Sequence, residues 1–269
     1  MATPEALGAT IQMTEEVEKK SSSLFAILLA IVVILVAAFS TLYGLQTLAW
    51  VEGRQWSNVN PWLRAVPQPL PPPSAPAKGK LVKSDDYEYE FISPWGLPKK
   101  IVPSLIYSEI RFPSGQVVLF FDPDSQLDTM RALKSSNPQE YQKFQNVFLD
   151  HPIESNYALY QAVYGASPEQ LSPLMSGRDA MRMNVLLLWK LSFGFDLGSE
   201  ISSFDFGRNK GFQFGDPAKG GPVAVRLFDD RARQHRFIFL VAAGMNAQLT
   251  QYDINTVVST LKPVPILDR

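Results

Sequence analysis

Cysteine is absent from this chain of 269 residues, and histidine occurs only at His151 and His235. Without thiols the chain has no disulfide, no zinc–thiolate or iron–sulfur site and no cysteine nucleophile. Two histidines also leave little material for a histidine-rich metal site. An excess of charge is lacking as well, because the formal net charge is −1, which excludes a strongly basic nucleic-acid binder. We therefore expect no cofactor, no bound metal and no nucleic-acid partner.

One apolar run dominates the first fifth of the chain. Residues 24–42 carry no charge, and thirteen of these nineteen residues are Leu, Ile, Val or Phe. A run of about 18 apolar residues is long enough to cross a hydrocarbon core of roughly 30 Å as a helix. The run is apolar on every side, whereas a buried helix of a soluble domain is apolar along one stripe. We predict a polar tail at 1–23 and a transmembrane helix at 24–50, uncleaved because its apolar core exceeds that of a signal peptide.

Charges on the two sides of the run indicate its orientation. Lys19 and Lys20 precede it, and positive charge next to a membrane helix is retained on the cytoplasmic side. Arg54 and Arg64 on the other side make this bias weak. We expect a single-pass protein of the cell (inner) membrane with an extracytoplasmic, periplasmic C-terminal domain. The composition resembles that of a bacterial envelope protein.

Small residues within the run recur at helical spacing. Ala30, Ala37, Thr41 and Gly44 are separated by 7, 4 and 3 positions, which places them along one side of a helix. Such a stripe permits close approach of a second transmembrane helix. The alternative is that alanine and glycine are simply common in membrane helices. We predict that these four residues pack against another membrane-protein subunit.

A proline-rich segment follows the predicted anchor. Seven prolines lie within residues 61–80, and proline disfavours the interior of helices and sheets. The composition favours an extended polyproline II conformation. We predict a linker at 51–80 that acts as a spacer, with an SH3-type ligand as the alternative, and a globular domain at 81–269.

The order of local patterns in the domain predicts its fold class. Alternating and turn-bounded segments predict strands at 87–91, 105–112 and 116–121. Capping signals predict helices beginning near Pro138, Ser155, Pro168 and Arg178. Four more strands are predicted at 201–206, 211–214, 223–228 and 237–242, followed by a final helix that Thr250 and Asp253 start. This order indicates an α+β fold with a largely antiparallel sheet covered by helices.

Two carboxylates after a hydrophobic strand are the main candidate for catalysis. Asp122 and Asp124 follow the strand VVLFF, and this pattern resembles the first motif of haloacid-dehalogenase-type phosphotransferases. The resemblance implies a nucleophilic Asp122, an acid–base Asp124 and Mg²⁺, with Asp229 and Asp230 as a metal-binding pair. The glycine–threonine pair of that motif is missing, and the fold needs parallel strands with helical crossovers. The alternative is that Asp122-Pro forms a turn and Asp124 or Ser125 caps a helix.

Aromatic alternation offers a third interpretation. Phenylalanines spaced by two along the last strands line sheet faces, which indicates core packing or, alternatively, a ligand pocket; they are Phe204, Phe206, Phe212, Phe214, Phe237 and Phe239. The hairpins and the final helix ending in VVSTLKP resemble the α/β sandwich of PsbP-like photosystem accessory proteins over about the last seventy residues. That resemblance carries no site residue.

These patterns together predict function only broadly. We expect a non-enzymatic accessory or scaffolding subunit that contacts the lipid bilayer and other membrane-protein subunits through its helix and its domain. The alternatives are a membrane-tethered, metal-dependent hydrolase that uses Asp122 and Asp124, and an envelope protein that binds a small ligand or lipid.

Overall fold

A computed structural model describes residues 32–33, 44, 46–84, 89–121, 138–150, 152–193, 200–229, 234–244 and 247–263. The predicted membrane helix at 24–50 lies mostly outside these ranges, as do Asp122, Asp124, Ala30, Ala37 and Thr41. Within the described ranges, no helix combines the length and apolarity needed to cross a membrane.

Five α-helices occur among the described residues. Helix α1 covers 46–59, and the isolated residues 32–33 and 44 before it are also helical. The others are α2 (Pro138–Val147), α3 (Asn156–Gly165), α4 (Gly177–Phe193) and α5 (Gln251–Thr260). The caps behave as the sequence predicts: Ser155 Oγ accepts a hydrogen bond from the Ala158 amide at 3.1 Å, and Thr250 and Asp253 form a capping box.

Eight of the described strands form one large sheet, in the order β1-β7-β8-β9-β10-β6-β5-β4. All neighbours are antiparallel except β1 and β7, which pair in parallel. The strands are β1 (Gln68–Pro69), β4 (Lys100–Pro103), β5 (Tyr107–Arg111), β6 (Gln116–Phe121), β7 (Ile201–Phe206), β8 (Asn209–Phe214), β9 (Val223–Asp229) and β10 (Gln234–Ala242). The pairing of β10 with β6 joins the early hairpin to the late meander.

A second sheet of three strands covers part of one face. It has the order β11-β3-β2, with β2 at Lys80–Ser84, β3 at Tyr89–Ser93 and β11 at Lys262–Pro263. Its Tyr89 and Phe91 are fully buried against Phe120 of the large sheet; the Tyr89 ring stacks on Phe120 with the ring centroids 4.2 Å apart, and the Phe91 ring is tilted against it at 5.3 Å. The same core includes Val257 and Val258 of α5.

The other face of the large sheet carries a second core. Alternate residues of β7 to β10 point toward α3 and α4, among them Phe212, Phe214, Phe228 and Phe237. Burial of such aromatic side chains is a main source of folding free energy. The predicted α+β class, with a large and mostly antiparallel sheet and helices, is confirmed.

Candidate functional site

A small-residue stripe places α1 against the domain. The buried positions of α1 are Gln46, Ala49, Gly53 and Ser57, whose spacings of 3, 4 and 4 define one helical face. A Cβ added to Gly53 would lie 2.2 Å from the Leu171 side chain and 3.8 Å from that of Leu187. Glycine therefore permits the close approach of α1 to α4 and to the loop before it.

A buried lysine fastens the residues that follow α1. Lys190 lies in α4, is 0% exposed and points its Nζ at four backbone carbonyl oxygens. It donates to Leu63 O at 3.1 Å and Ala65 O at 2.6 Å in the N-terminal segment. It also donates to Tyr164 O at 3.0 Å and Ala166 O at 2.6 Å, at the end of α3. We call Lys190 and these four carbonyls the lysine clamp.

The lysine clamp supplies a hydrogen-bond donor to backbone carbonyl oxygens that have no donor within a helix. The last carbonyls of a helix have no partner within it, and Tyr164 O and Ala166 O belong to this class. Leu63 lies in a 3-10 helix, Pro61–Arg64, and its side chain is fully buried. A cation at this position binds the end of a helix and the incoming chain together. The ammonium is enclosed, which suits a structural role rather than a reaction with substrate.

Stability should increase with pH between about 8 and 10 because of Lys190. Burial away from water lowers the pKa of its ammonium from 10.5 to about 8. Below pH 8 the folded and unfolded chains both hold the proton. Above it the folded chain releases the proton, whereas the unfolded chain keeps it until about pH 10.5. The free energy of unfolding therefore rises by up to about 1.4 kcal/mol per pH unit in this window.

Urea unfolding of the full-length protein in detergent, at about pH 7.5, 8.5 and 9.5, measures this slope. Burial raises the pKa of the Tyr164 hydroxyl, so this tyrosine adds an opposing contribution only above about pH 10. The Lys190→Met variant should lack the rise. A wild-type stability that falls steadily from pH 8 to 9.5, in parallel with the variant, would show that Lys190 keeps an ordinary pKa.

The proline-rich segment also contacts the domain. Gln68 and Pro69 pair with Ser202 and Ser203 at the edge of the large sheet, and the Leu70 amide donates to Ser203 O at 2.7 Å. The predicted boundaries at residues 23, 50 and 80 stay predictions. Residues 46–70, however, lie against the domain instead of holding it at a distance. Pro69 lies in an edge strand and Pro61 in the first turn of a 3-10 helix, and at both positions the missing amide hydrogen costs little.

The carboxylate hypothesis requires parallel strands, whereas the strands that precede Asp122 and end at Asp229 pair antiparallel. Strand β6, which ends one residue before Asp122, pairs antiparallel with both β5 and β10. Asp229 ends β9, which is antiparallel to β8 and β10. Asp122 and Asp124 themselves lie outside the described residues, so their role stays a prediction. Among the described residues, no group of three or more His, Asp or Glu side chains is placed to hold a metal ion.

The aromatic residues of the late strands divide between the two cores. Phe204 is buried on one face, while Phe212, Phe214 and Phe237 are buried on the other; Phe206 and Phe239 are partly buried beside them. Lys210 Nζ and the Arg226 guanidinium lie over Tyr157 and Tyr160, at 4.5 and 4.4 Å from the ring centroids. These contacts are typical of core packing under a helix.

An open groove lies where α3 and α4 do not cover the sheet. It has a volume of about 630 Å³ and crosses β5, β6 and β10. Its floor is apolar, formed by Val117, Leu119 and Val241, and Glu109 and Arg111 form an ion pair within its lining. Sequence reasoning missed this groove because it depends on the pairing of β10 with β6. The hypothesis of a small-ligand or lipid-binding protein stays a prediction.

Gly44 is the only one of the four predicted helix-packing residues that lies within the described ranges. It is helical, and a Cβ added there would meet no atom of the described residues within 4 Å. The docking stripe of α1 begins two residues later, and its signal was the recurrence of small residues at Ala49, Gly53 and Ser57. Comparisons of the chain with protein families, with curated proteins and with solved structures find no match.

Proposed function

We propose that this protein is a non-enzymatic, single-pass membrane accessory subunit that holds its C-terminal domain in a fixed position at the membrane surface. The apolar run at 24–42 supplies the anchor, and the described part of α1 follows it from residue 46 onward. The observation that carries the proposal is the docking of 46–65 on the domain through Gly53 and the lysine clamp. Such a connection suits a subunit that presents a surface to a partner at a set height and angle.

The partner is another membrane-protein subunit in this proposal. The stripe of Ala30, Ala37, Thr41 and Gly44 offers a close-packing side within the bilayer, and small residues favour helix association there. The face of α1 that carries Gln46 and Gly53 is already occupied by the domain. In this proposal the membrane helix contacts a partner through its small-residue stripe, and α1, which follows it, contacts the protein's own domain.

Replacing Gly44 by isoleucine should weaken the complex without unfolding the domain. Among the described residues, none lies within 4 Å of a Cβ at this position, so the larger side chain disturbs no described part of the domain. We expect the yield of co-purifying subunits after extraction in mild detergent to fall by about tenfold, since loss of a close helix contact costs roughly 1–2 kcal/mol. Quantitative mass spectrometry of the full-length, affinity-purified protein measures this yield.

Leu35→Ile is the matched control, because an ideal helix places residue 35 on the side opposite the stripe. It should leave the yield unchanged. Wild-type protein that purifies alone in mild detergent, or a Gly44→Ile variant that keeps its subunits, would contradict the proposed role of the stripe.

A further inference from the structure

Exposed apolar side chains cluster at one end of the domain. Leu174 is 72% exposed, Met181 is 58% exposed and Leu149 is 64% exposed. The first two lie within four residues of Gly177, the start of α4. The third adjoins Asp150, whose carboxylate accepts a hydrogen bond from Arg178 at 2.9 Å. A soluble surface scatters such residues singly, whereas a group of them marks a contact site.

Contacts along α1 show which end of the domain this is. A Cβ added to Gly177 would lie 3.6 Å from Gln46 Nε2, so the first described turn of α1 lies beside the start of α4. Further along, Gly53 contacts Leu187, and Leu63 meets Lys190. The two helices therefore run in the same direction, and the chain enters the domain at the end that carries the apolar group.

Helix geometry sets the depth of this end. The nineteen residues of 24–42 span about 28 Å as a helix, which matches the hydrocarbon core. Gln46 then lies only about 6 Å beyond it, and the headgroup layer is itself roughly 5–7 Å thick. Leu48, 55% exposed, follows two residues later, about 3 Å further along the axis of α1. Residues beside Gln46 are therefore at the height of the lipid headgroups.

We propose that Leu174, Met181, Leu149 and Leu48 form a membrane-contact patch that inserts into the interface of the bilayer leaflet facing the domain. The occupant is lipid, because the patch surrounds the point where the chain leaves the predicted membrane helix. Apolar side chains at this depth bury their surface among headgroups and upper acyl chains. The lysine clamp fixes the domain to the segment that follows the anchor, and so holds the patch at this depth. This inference rests on the proposed function, since it requires the anchor at 24–42.

The absence of cysteine makes a direct test simple. Leu174→Cys and Met181→Cys, each labelled with the fluorophore NBD in the full-length protein, report the depth of the patch. The control is Val59→Cys. The Val59 side chain is 79% exposed, and in this proposal it lies on the same side of the membrane as the patch. It lies thirteen residues after Gln46, about 20 Å further along α1. All three positions are exposed, so the changes leave the core intact.

The labelled proteins are reconstituted in vesicles of phosphatidylcholine and phosphatidylglycerol that contain doxyl-labelled lipid, and flotation first verifies incorporation. We expect quenching at Leu174→Cys and Met181→Cys to exceed that at Val59→Cys by about twofold or more, with blue-shifted emission. Protein that floats, but whose two patch labels are quenched no more than the control, would overturn the patch and indicate a protein partner there. Protein that does not float would overturn the anchor, and the patch with it.

Discussion

Two aspartates at the centre of the apolar run should release the protein from the membrane. In the double variant Ile34→Asp and Leu35→Asp, each carboxylate costs about 2.5–3.5 kcal/mol on insertion. The thirteen large apolar residues of 24–42 favour insertion by roughly 4–8 kcal/mol in total. The two contributions nearly cancel, so we expect the inserted fraction to fall from nearly all of the protein to about half or less.

Extraction of membranes with alkaline carbonate separates inserted from released protein. The control variant carries Thr10→Asp and Gln12→Asp in the polar tail, so it adds the same charge outside the run. It should remain in the membrane pellet. If the wild-type chain is itself found in the soluble fraction, the anchor at 24–50 does not exist, and the proposed function has no basis.

Replacing Lys190 by methionine should destabilise the domain strongly. The change leaves Leu63 O, Ala65 O, Tyr164 O and Ala166 O without their common donor. A buried acceptor without a donor costs about 1–3 kcal/mol. Removing the desolvated charge returns roughly 3 kcal/mol, as its lowered pKa of about 8 indicates. Four such acceptors together cost about 4–12 kcal/mol, so the expected net loss in the free energy of unfolding is about 1–9 kcal/mol.

Urea unfolding of the full-length protein in detergent at neutral pH measures this loss. Lys219→Met is the matched control, because its ammonium is exposed and pairs with Glu200 at the surface. Its unfolding midpoint should match that of the wild type. Equal midpoints for the two methionine variants would show that the four carbonyls find water or other donors, and that the clamp contributes little.

Loss of the clamp should also free the N-terminal segment. Limited proteolysis near Arg54 and Arg64 should be faster in Lys190→Met than in Lys219→Met, since docking of 46–65 depends on Lys190. Faster cleavage confined to this segment would separate undocking from general unfolding.

Local signals predicted many of the elements of the domain, because their causes are local. Ser155 and Thr250 cap the helices they precede, and Pro113-Ser-Gly marks the turn between β5 and β6. The four late strands form the expected meander. These features depend on a few neighbouring residues, and a sequence displays them directly.

Long-range pairings were not predictable in the same way. The pairing of Phe239 with Leu119 joins strands that lie more than a hundred residues apart, and both strands had other apolar strands available as partners. The lysine clamp was equally hidden. Lys190 is the one charged residue in the second half of α4, at 183–193, and the residues around it in the sequence do not indicate that Leu63 and Ala65 are its acceptors.

The proline-rich segment was interpreted from composition alone, which describes an isolated chain. In the folded protein Pro69 pairs at the edge of the sheet, and Leu63 fills a place in the core. The recurrence of Ala49, Gly53 and Ser57 carried the better signal. Small residues four apart permit two helices to approach closely in water as well as in lipid.

The lysine clamp has a mechanical consequence. A domain on a flexible linker reorients independently of its anchor, so motion of the anchor is not transmitted to the domain. Here α1 is fixed to the domain at Gly53, and the segment after α1 is fixed by Lys190, which binds carbonyl oxygens of that segment and of the end of α3. Under the proposed function, a tilt of the membrane helix would therefore also rotate the domain and change the orientation of the open groove on β5 and β6.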